Sequence, residues 1–258
     1  MKISVLGSGS SGNSIYFETS DNRFLIDAGF SGKSIENRLK KINVDPETLT
    51  SIIVTHEHFD HIQGVGVLSR KYNLPIYITQ KSYNVAKKKM GQLASENIKY
   101  IEKNFYLSEN TCLEPFEVMH DAKLTLGFNV FDRNNTKVSV ATDIGYISKE
   151  IKEKFKKSDV IIIESNYSYH MLMTGSYPWH LKNRVKSKKG HLSNDQTSKF
   201  LEKIWSQKLK KIYLAHLSKD NNKKELAYEK THDCLKKSSK ICEIEVCDQH
   251  EPLNIFEI

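Results

Sequence analysis

The feature that most constrains the fold of this chain is the segment T-H-E-H-F-D-H at residues 55–61. It places His56, His58 and His61 together with Asp60 within six positions, although the whole chain of 258 residues has only ten histidines. The segment follows directly on a predicted buried strand, Ser51–Thr55. A tight loop at a strand end directs alternating side chains into one pocket, and imidazole with carboxylate suits Zn, Mn or Fe. The pattern therefore predicts a metal site at the end of a strand.

Other predicted strands also end in a metal-binding type of side chain. These are Asp27 after F-L-I, His120 after F-E-V-M, Asp143 after V-S-V-A and His216 after I-Y-L-A. In α/β folds, binding sites collect at the carboxyl ends of strands. We therefore expect these side chains to lie close to the 55–61 segment.

The order of predicted elements favours one α/β domain spanning residues 1–258. Predicted strands first follow one another in meander-like runs and then alternate with helices, and this order of elements occurs twice along the chain. Two sheets with helices outside, a four-layer arrangement, satisfy this pattern. Residues 165–192 are polar, aromatic and basic and contain Pro178, so they are predicted to be an irregular insertion. Ser193 and Gln196 form an S-x-x-Q capping box that begins the next helix.

The ordered motifs D-A-G, T-H-x-H-x-D-H, H, T-D-x-G and H resemble those of the metallo-β-lactamase-fold hydrolase superfamily. The resemblance implies an αββα sandwich with two divalent metal ions, of which Zn, Mn and Fe are the candidates. By motif position, the implied ligands are His56, His58 and His120 for one ion, Asp60, His61 and His216 for the other, and Asp143 bridging both. In this superfamily the residue at the position of Asp27 supports the ligand loop without binding metal.

A narrower resemblance comes from three further motifs. G-S-G-S-S-G-N-S at residues 7–14, E-S-N-Y at residues 164–167 and G-H-L-S-N at residues 190–194 are together similar to the YycJ/WalJ-type branch of the superfamily. That branch implies a cytoplasmic 5′→3′ exonuclease acting on DNA. The implied catalytic residues are Asp60, which orients the nucleophile, and His191, a candidate general acid. The candidate substrate-binding residues are Ser10, Asn13, Asn166 and Arg184.

Other functions of the same fold remain open at this point. A small-molecule phosphodiesterase, a thioesterase or a lactonase uses similar ligands, but these need a compact or apolar pocket. A non-hydrolytic diiron redox or binding module is a weaker alternative. Glu57 offers a carboxylate in the ligand loop, yet 258 residues leave no room for a partner flavin domain.

The formal net charge of +8 is concentrated in one part of the chain. Lys182–Lys211, the basic segment, holds ten Lys and Arg but only Asp195 and Glu202 as acidic residues, so the other residues sum to zero. The basic segment contains His191. Lysines and an arginine beside a hydrolytic site predict a polyanionic substrate, with nucleic acid favoured.

The sequence also predicts the cellular compartment of the protein. No stretch approaches the roughly 18 apolar residues of a membrane helix, and the amino terminus, MKISVLGSGSSG, does not resemble a signal peptide. The four cysteines include no C-x-x-C pair, so free thiols in a reducing cytoplasm are expected. The sequence leaves the oligomeric state open.

Overall fold

Fourteen strands and nine α-helices make up the structure, a computed structural model that describes residues 1–258. The first sheet contains Lys2–Gly7 (β1), Ser14–Glu18 (β2), Arg23–Ile26 (β3), Ser51–Ile53 (β4), Ile76–Ile78 (β5), Ile98–Tyr100 (β6) and Phe256–Glu257 (β14). The second contains Phe105–Ser108 (β7), Thr111–Val118 (β8), Thr125–Asp132 (β9), Lys137–Ala141 (β10), Val160–Glu164 (β11), Lys211–Ala215 (β12) and Glu243–Val246 (β13). The helices are Gly32–Lys41 (α1), Phe59–Ile62 (α2), Val65–Tyr72 (α3), Gln80–Met90 (α4), Lys149–Phe155 (α5), Tyr169–Thr174 (α6), Trp179–Val185 (α7), Asn194–Ile204 (α8) and Lys224–Lys237 (α9).

The two sheets have matching topologies. The strand orders are β14-β1-β2-β3-β4-β5-β6 and β13-β12-β11-β10-β9-β8-β7. In each sheet the meander strands pair antiparallel, whereas β3 to β6 and β10 to β13 pair parallel. Parallel neighbours need a crossover connection, usually a helix. The repeated meander-then-crossover order predicted from the sequence is thereby confirmed.

Three separate apolar layers hold the sheets and helices together. One packs α1, α3 and α4 on the first sheet, and another packs α5, α8 and α9 on the second. The third lies between the sheets, where Ile15 and Phe17 of β2 face inward while Tyr16 faces the helices. This alternation is what a strand covered on both faces requires. Three apolar layers separate four layers of structure, which confirms the predicted αββα sandwich.

The insertion at residues 165–192 differs from the prediction of an irregular segment, because it contains the short helices α6 and α7. Ser168 caps α6 by accepting a hydrogen bond from the backbone N–H of Met171. Pro178 does not interrupt a helix but stands at the N-cap of α7, directly before Trp179. Proline is tolerated at such a position because the first N–H groups of a helix have no partner within the helix. No residue of α7 is fully buried.

The capping box predicted for the helix after the insertion is present. The side chain of Ser193 accepts from the backbone N–H of Gln196, and Gln196 accepts from the backbone N–H of Ser193. None of the helices is both long enough and apolar enough to cross a membrane.

Candidate metal centre

The histidine loop, residues 55–61, is held in place by Asp27 at the end of β3. Asp27 accepts hydrogen bonds from the backbone N–H and the hydroxyl of Thr55, both at 2.8 Å, and its Oδ2 lies 2.7 Å from Nδ1 of His61. Asp27 is 3% exposed, so these bonds are made away from water. The loop then enters α2 with His58 at the N-cap, which places Asp60 and His61 in the first turn.

His56, His58 and His120 form the first group of candidate ligands. One nitrogen from each lies within 4.8 Å of the others, and Nε2 of His56 is 3.1 Å from Nδ1 of His58. Nδ1 of His120 lies 3.2 Å from the carbonyl oxygen of Gly190 and is oriented by it. Burial lowers the pKa of both His56 and His120, well below the ordinary value in the case of His56. They are therefore neutral imidazoles, the form that binds a metal.

Asp60, His61 and His216 form the second group. Oδ2 of Asp60 lies 3.5 Å from Nε2 of His61 and 3.7 Å from Nε2 of His216. Burial opposes protonation of His61, but the combined attraction of Asp27, Asp60 and Asp143 outweighs it and raises the pKa of His61 well above its ordinary value. A positive charge is therefore favoured at this position, as is expected where carboxylates converge on a cation site.

Asp143 lies between the two groups. Its Oδ1 is 3.4 Å from Nε2 of His120, and its Oδ2 is 3.2 Å from Nε2 of His61. The residue is 2% exposed. Burial tends to raise the pKa of Asp143, but the neighbouring His216 and His61 hold it well below its ordinary value. One carboxylate thus reaches side chains of both ligand groups.

The backbone at three of the strand ends is left-handed. Asp27, Asp143 and His216 have φ values of 62°, 58° and 54°. Non-glycine residues adopt this conformation uncommonly, with Asn, Asp and His enriched among those that do. At each position the strand ends, and the side chain lies among the candidate site residues.

The residues present fit the binding of divalent metal. Oδ2 of Asp143 and Nε2 of His216 are buried without any hydrogen-bond partner, although buried polar atoms in folded proteins are nearly always satisfied. Both atoms face the other candidate ligands. The donor set of five imidazoles and two carboxylates is of the nitrogen and oxygen type that Zn, Mn and Fe accept.

Glu164 begins the E-S-N-Y motif, but our sequence analysis gave it no role in the site. Its Oε1 lies 2.8 Å from Nδ1 of both His191 and His216, and its Oε2 accepts from the backbone N–H groups of Ile144 and Leu192. Burial tends to raise the pKa of Glu164, but the two histidines outweigh it and bring it to about 2. The available signal was its position, since Glu164 ends the buried strand β11 as the other site residues end theirs.

The candidate substrate-binding residues differ in what they contact. Asn13 is buried, and its amide bonds to Ser8, Gly9 and Asp60. These bonds hold the Gly/Ser loop (residues 7–14) next to the candidate ligands. The substrate-binding role of Asn13 stays a prediction.

The other three candidate substrate-binding residues have polar atoms that are free to bind a substrate. They are Asn166, Arg184 and Ser10. Asn166 donates to the carbonyl oxygen of His216 at 2.7 Å, which leaves its Oδ1 available. Arg184 forms an ion pair with Asp121, with Nη2 and Oδ2 2.6 Å apart, yet most of its side chain is exposed. Ser10 is exposed.

A cavity of about 240 Å³ adjoins the candidate ligands, and we call it the central cavity. It is lined by Ser10, Asp121, Asn166, Tyr177, Leu181, Arg184, Val185, Gly190, His191 and Ser218. Three of these ten residues are hydrophobic. The helix α7 and the loop that follows it form one wall, and the Gly/Ser loop with Ser218 forms the other. His191, Arg184 and Asn166 are therefore brought together beside the metal centre.

The basic segment does not lie wholly at this site. Lys208 pairs with Asp159 at 2.9 Å, and Lys211 is buried between Glu243 and Glu245, at 2.7 Å from each. Lys211 is the first residue of β12 and Lys208 precedes that strand, whereas His216 follows its end. Part of the predicted substrate-binding charge is therefore structural, because Lys211 joins β12 to β13 and Lys208 pairs with the residue before β11.

Comparison with known proteins places the chain in a family. The family model described as "Beta-lactamase superfamily domain" matches residues 22–216. The chain is 40% identical to "Exodeoxyribonuclease YycJ" of Bacillus anthracis over 88% of this chain and 86% of that protein. It is 41% identical to "Exodeoxyribonuclease WalJ" of Streptococcus pneumoniae over 88% of this chain and 85% of that protein.

A solved structure supports the same assignment of the fold. The crystal structure of the metallo-beta-lactamase fold protein YhfI from Bacillus subtilis superposes with a TM-score of 0.73, at 15% identity over 98% of each chain. The family match and the two relatives confirm the resemblance that the sequence motifs indicated. The chain therefore belongs to the metallo-β-lactamase-fold superfamily, in the branch of the YycJ and WalJ proteins.

Proposed function

We propose that this protein is a metal-dependent nuclease that hydrolyses phosphodiester bonds in DNA, releasing nucleotides from the 5′ end. The observation that carries the proposal is the pair of candidate ligand groups with Asp143 between them, next to a polar cavity whose lining residue His191 lies 3.9 Å from Asp143. The exodeoxyribonuclease names of the two relatives support DNA as the substrate.

We infer that two divalent ions bind, one held by His56, His58 and His120 and the other by Asp60, His61 and His216, with Asp143 shared. When bound, such ions lower the pKa of the attacking water and offset negative charge on the phosphate. Zn, Mn and Fe all suit this donor set. Asp27 and Asn13 act through other residues, since Asp27 orients His61 and Asn13 orients Asp60.

His191 is placed to protonate the leaving oxygen. Its Nδ1 is held by Glu164, which leaves Nε2 of His191 for the central cavity that the residue lines. Burial opposes protonation, but Glu164 and Asp143 raise the pKa of His191 above its ordinary value. A proton on Nε2 is therefore available for the oxygen that leaves the phosphorus. Asp60, whose Oδ2 lies 3.5 Å from Nε2 of His61, would orient the attacking water.

The lining of the central cavity favours a phosphodiester over an acyl substrate. Arg184, Asn166 and Ser10 offer hydrogen bonds to phosphate oxygens. A thioester or a lactone with an apolar body would require more hydrophobic surface than the three apolar residues provide.

End-labelled DNA tests the proposal directly. Metal-depleted protein is given duplex and single-stranded DNA labelled at either end, with an RNA of the same sequence alongside, and Mn or Zn is then restored. We expect early release of a labelled mononucleotide from the 5′-labelled DNA, and none without metal. Release of neither label under any metal would contradict the proposal.

Ligand variants provide the control. His58→Ala and Asp60→Ala should abolish hydrolysis while circular dichroism shows a folded chain. A folded Asp60→Ala protein with full turnover, purified free of other nucleases, would disprove the assigned site.

A further inference from the structure

A second cavity of about 240 Å³ continues from the central cavity, and we call it the Lys219 cavity. Ser10 and Ser218 line both cavities. The Lys219 cavity is formed by three segments: the Gly/Ser loop, residues 217–224 and residues 247–250. Nothing in the proposed chemistry at the metal centre uses this space.

The walls of the Lys219 cavity are fixed by specific bonds. The side chain of Gln249 accepts from the backbone N–H of Ser11 and donates to the carbonyl oxygen of Gly12, both at 2.9 Å. Lys224 is ion-paired with Asp248. Residues 247–250 are thereby tied both to the Gly/Ser loop and to the start of α9, so the cavity is preformed.

The free polar groups of the Lys219 cavity are almost all donors. Lys219 and Lys223 are exposed and neither forms a salt bridge, and the hydroxyls of Ser10 and Ser11 have no partner within the chain. The one carboxylate in the lining, Asp248, is neutralised by Lys224 and accepts from the backbone N–H groups of His250 and Glu251.

The neighbouring residue Asp220 is exposed and does not line the Lys219 cavity. Its carboxylate accepts a hydrogen bond at 3.0 Å from the hydroxyl of Tyr177, a residue that lines the central cavity. Two unpaired ammonium groups with free hydroxyls beside them favour an anion with several oxygens, such as a phosphate.

We propose that the Lys219 cavity binds the terminal phosphate monoester of the nucleic acid strand whose diester linkage occupies the central cavity. This inference rests on the proposed nuclease function. A monoester carries nearly two negative charges at neutral pH, whereas an internal diester carries one, so two unpaired lysines favour the chain end. The arrangement gives the protein a means of recognising a strand end, which action on terminal nucleotides requires.

Equilibrium binding tests the proposal without relying on turnover. Fluorescent single-stranded oligonucleotides carry a phosphate at the 5′ end, at the 3′ end or at neither, and their affinity for the metal-depleted protein is measured by anisotropy. We expect the 5′-phosphorylated form to bind about tenfold more tightly than the other two forms. Equal or tighter binding of the 3′-phosphorylated form would overturn the proposal.

The variant Lys219→Gln/Lys223→Gln should lose that preference and bind the hydroxyl-ended oligonucleotide nearly as the unaltered protein does. The matched control is Lys210→Gln/Lys237→Gln, which removes two exposed lysines without salt bridges at the opposite end of the second sheet. The control should keep the preference. Equal binding of all three oligonucleotides, or a preference that survives in the Lys219/Lys223 variant, would overturn the proposal.

Measuring DNA cleavage distinguishes a failure of this proposal from a failure of the proposed nuclease function. If the protein cleaves DNA but neither its binding nor its rate depends on a terminal phosphate, only the role of the Lys219 cavity is contradicted. A binding preference in a protein that releases no label with any metal supports the cavity and contradicts the nuclease function.

Discussion

Nδ1 of His191 lies 2.8 Å from Oε1 of Glu164, the same oxygen that lies 2.8 Å from Nδ1 of His216. One buried carboxylate therefore orients both a candidate metal ligand and the candidate proton donor. Since Oε2 of Glu164 is fixed by two backbone N–H groups, the carboxylate cannot rotate to favour either histidine. The candidate proton donor His191 and the candidate ligand His216 are held in one rigid arrangement.

His191→Ala should lower kcat by roughly 10²- to 10⁴-fold, the usual contribution of a general acid. Metal content should stay unchanged, because the two ligand groups do not include His191. The measurement is kcat on labelled DNA together with metal analysis of the same sample. His180→Ala, an exposed histidine of α7, is the control. Loss of metal from the His191 variant would instead make His191 a ligand.

Asp27→Asn should weaken metal affinity by about 10- to 100-fold, as is typical when a group that orients a ligand is altered. The new amide cannot accept all the bonds that Asp27 receives from Thr55 and His61. Metal titration followed by activity measures the effect, and saturating metal should restore much of kcat. A low kcat that no amount of metal restores would show that Asp27 does more than orient His61.

Replacing Lys186, Lys188 and Lys189 with Gln should weaken DNA binding and flatten its dependence on salt. These exposed lysines lie on the loop between α7 and His191. If each one contacts a phosphate of single-stranded DNA, the slope of log affinity against log salt falls by roughly 2. The control replaces the exposed Lys210, Lys236 and Lys237. An unchanged slope in the first variant, or an equal loss in both, would contradict a local binding role.

The ionisation of Asp21 should make the free energy of unfolding depend on pH in the acidic range. Hydrogen bonds, from Ser108 above all and also from Asn110 and Asn22, lower the pKa of Asp21 to about 2. An unfolded chain protonates this carboxyl near pH 3.9, so its contribution is complete above about pH 4 and is lost as the pH falls towards 2.

The free energy of unfolding in urea measures this contribution. Asp21→Asn should be less stable than the unaltered protein at pH 7, and the difference should shrink between pH 4 and pH 2. A difference that stays constant over this range would show that the charge of Asp21 is not involved.

Several candidate site positions were predictable because each follows a short apolar strand. Asp27, His120, Asp143 and His216 all end strands whose β-branched and aromatic residues are visible in the sequence. Assigning each residue to one of two metals depended on family resemblance, since spacing alone does not show which strand ends meet. The structure brings these residues together in overlapping clusters, one of which joins His56 and His61 from the two assigned groups, so the assignment to individual metals stays a prediction.

Other features were not predictable, for physical reasons. The helix α3 contains Gly66, whose lack of a side chain allows close contact with the backbone of Met90. A glycine of this kind weakens the helical pattern in the sequence. The role of Asn13 depends on contacts with Asp60, 47 positions away, which no local pattern contains. The pairs of Lys211 likewise form only when β13 lies beside β12.

The left-handed backbone at Asp27, Asp143 and His216 has a consequence for protein engineering. Each such residue costs the fold on the order of 1–3 kcal/mol, whereas glycine adopts the same conformation freely. In metal-free protein the strain at Asp143 is opposed by the attraction between its carboxylate and the neighbouring His216 and His61. Glycine at position 143 would relieve the strain but would remove both that attraction and a candidate metal ligand, so selection for heat resistance at this position acts against the metal site.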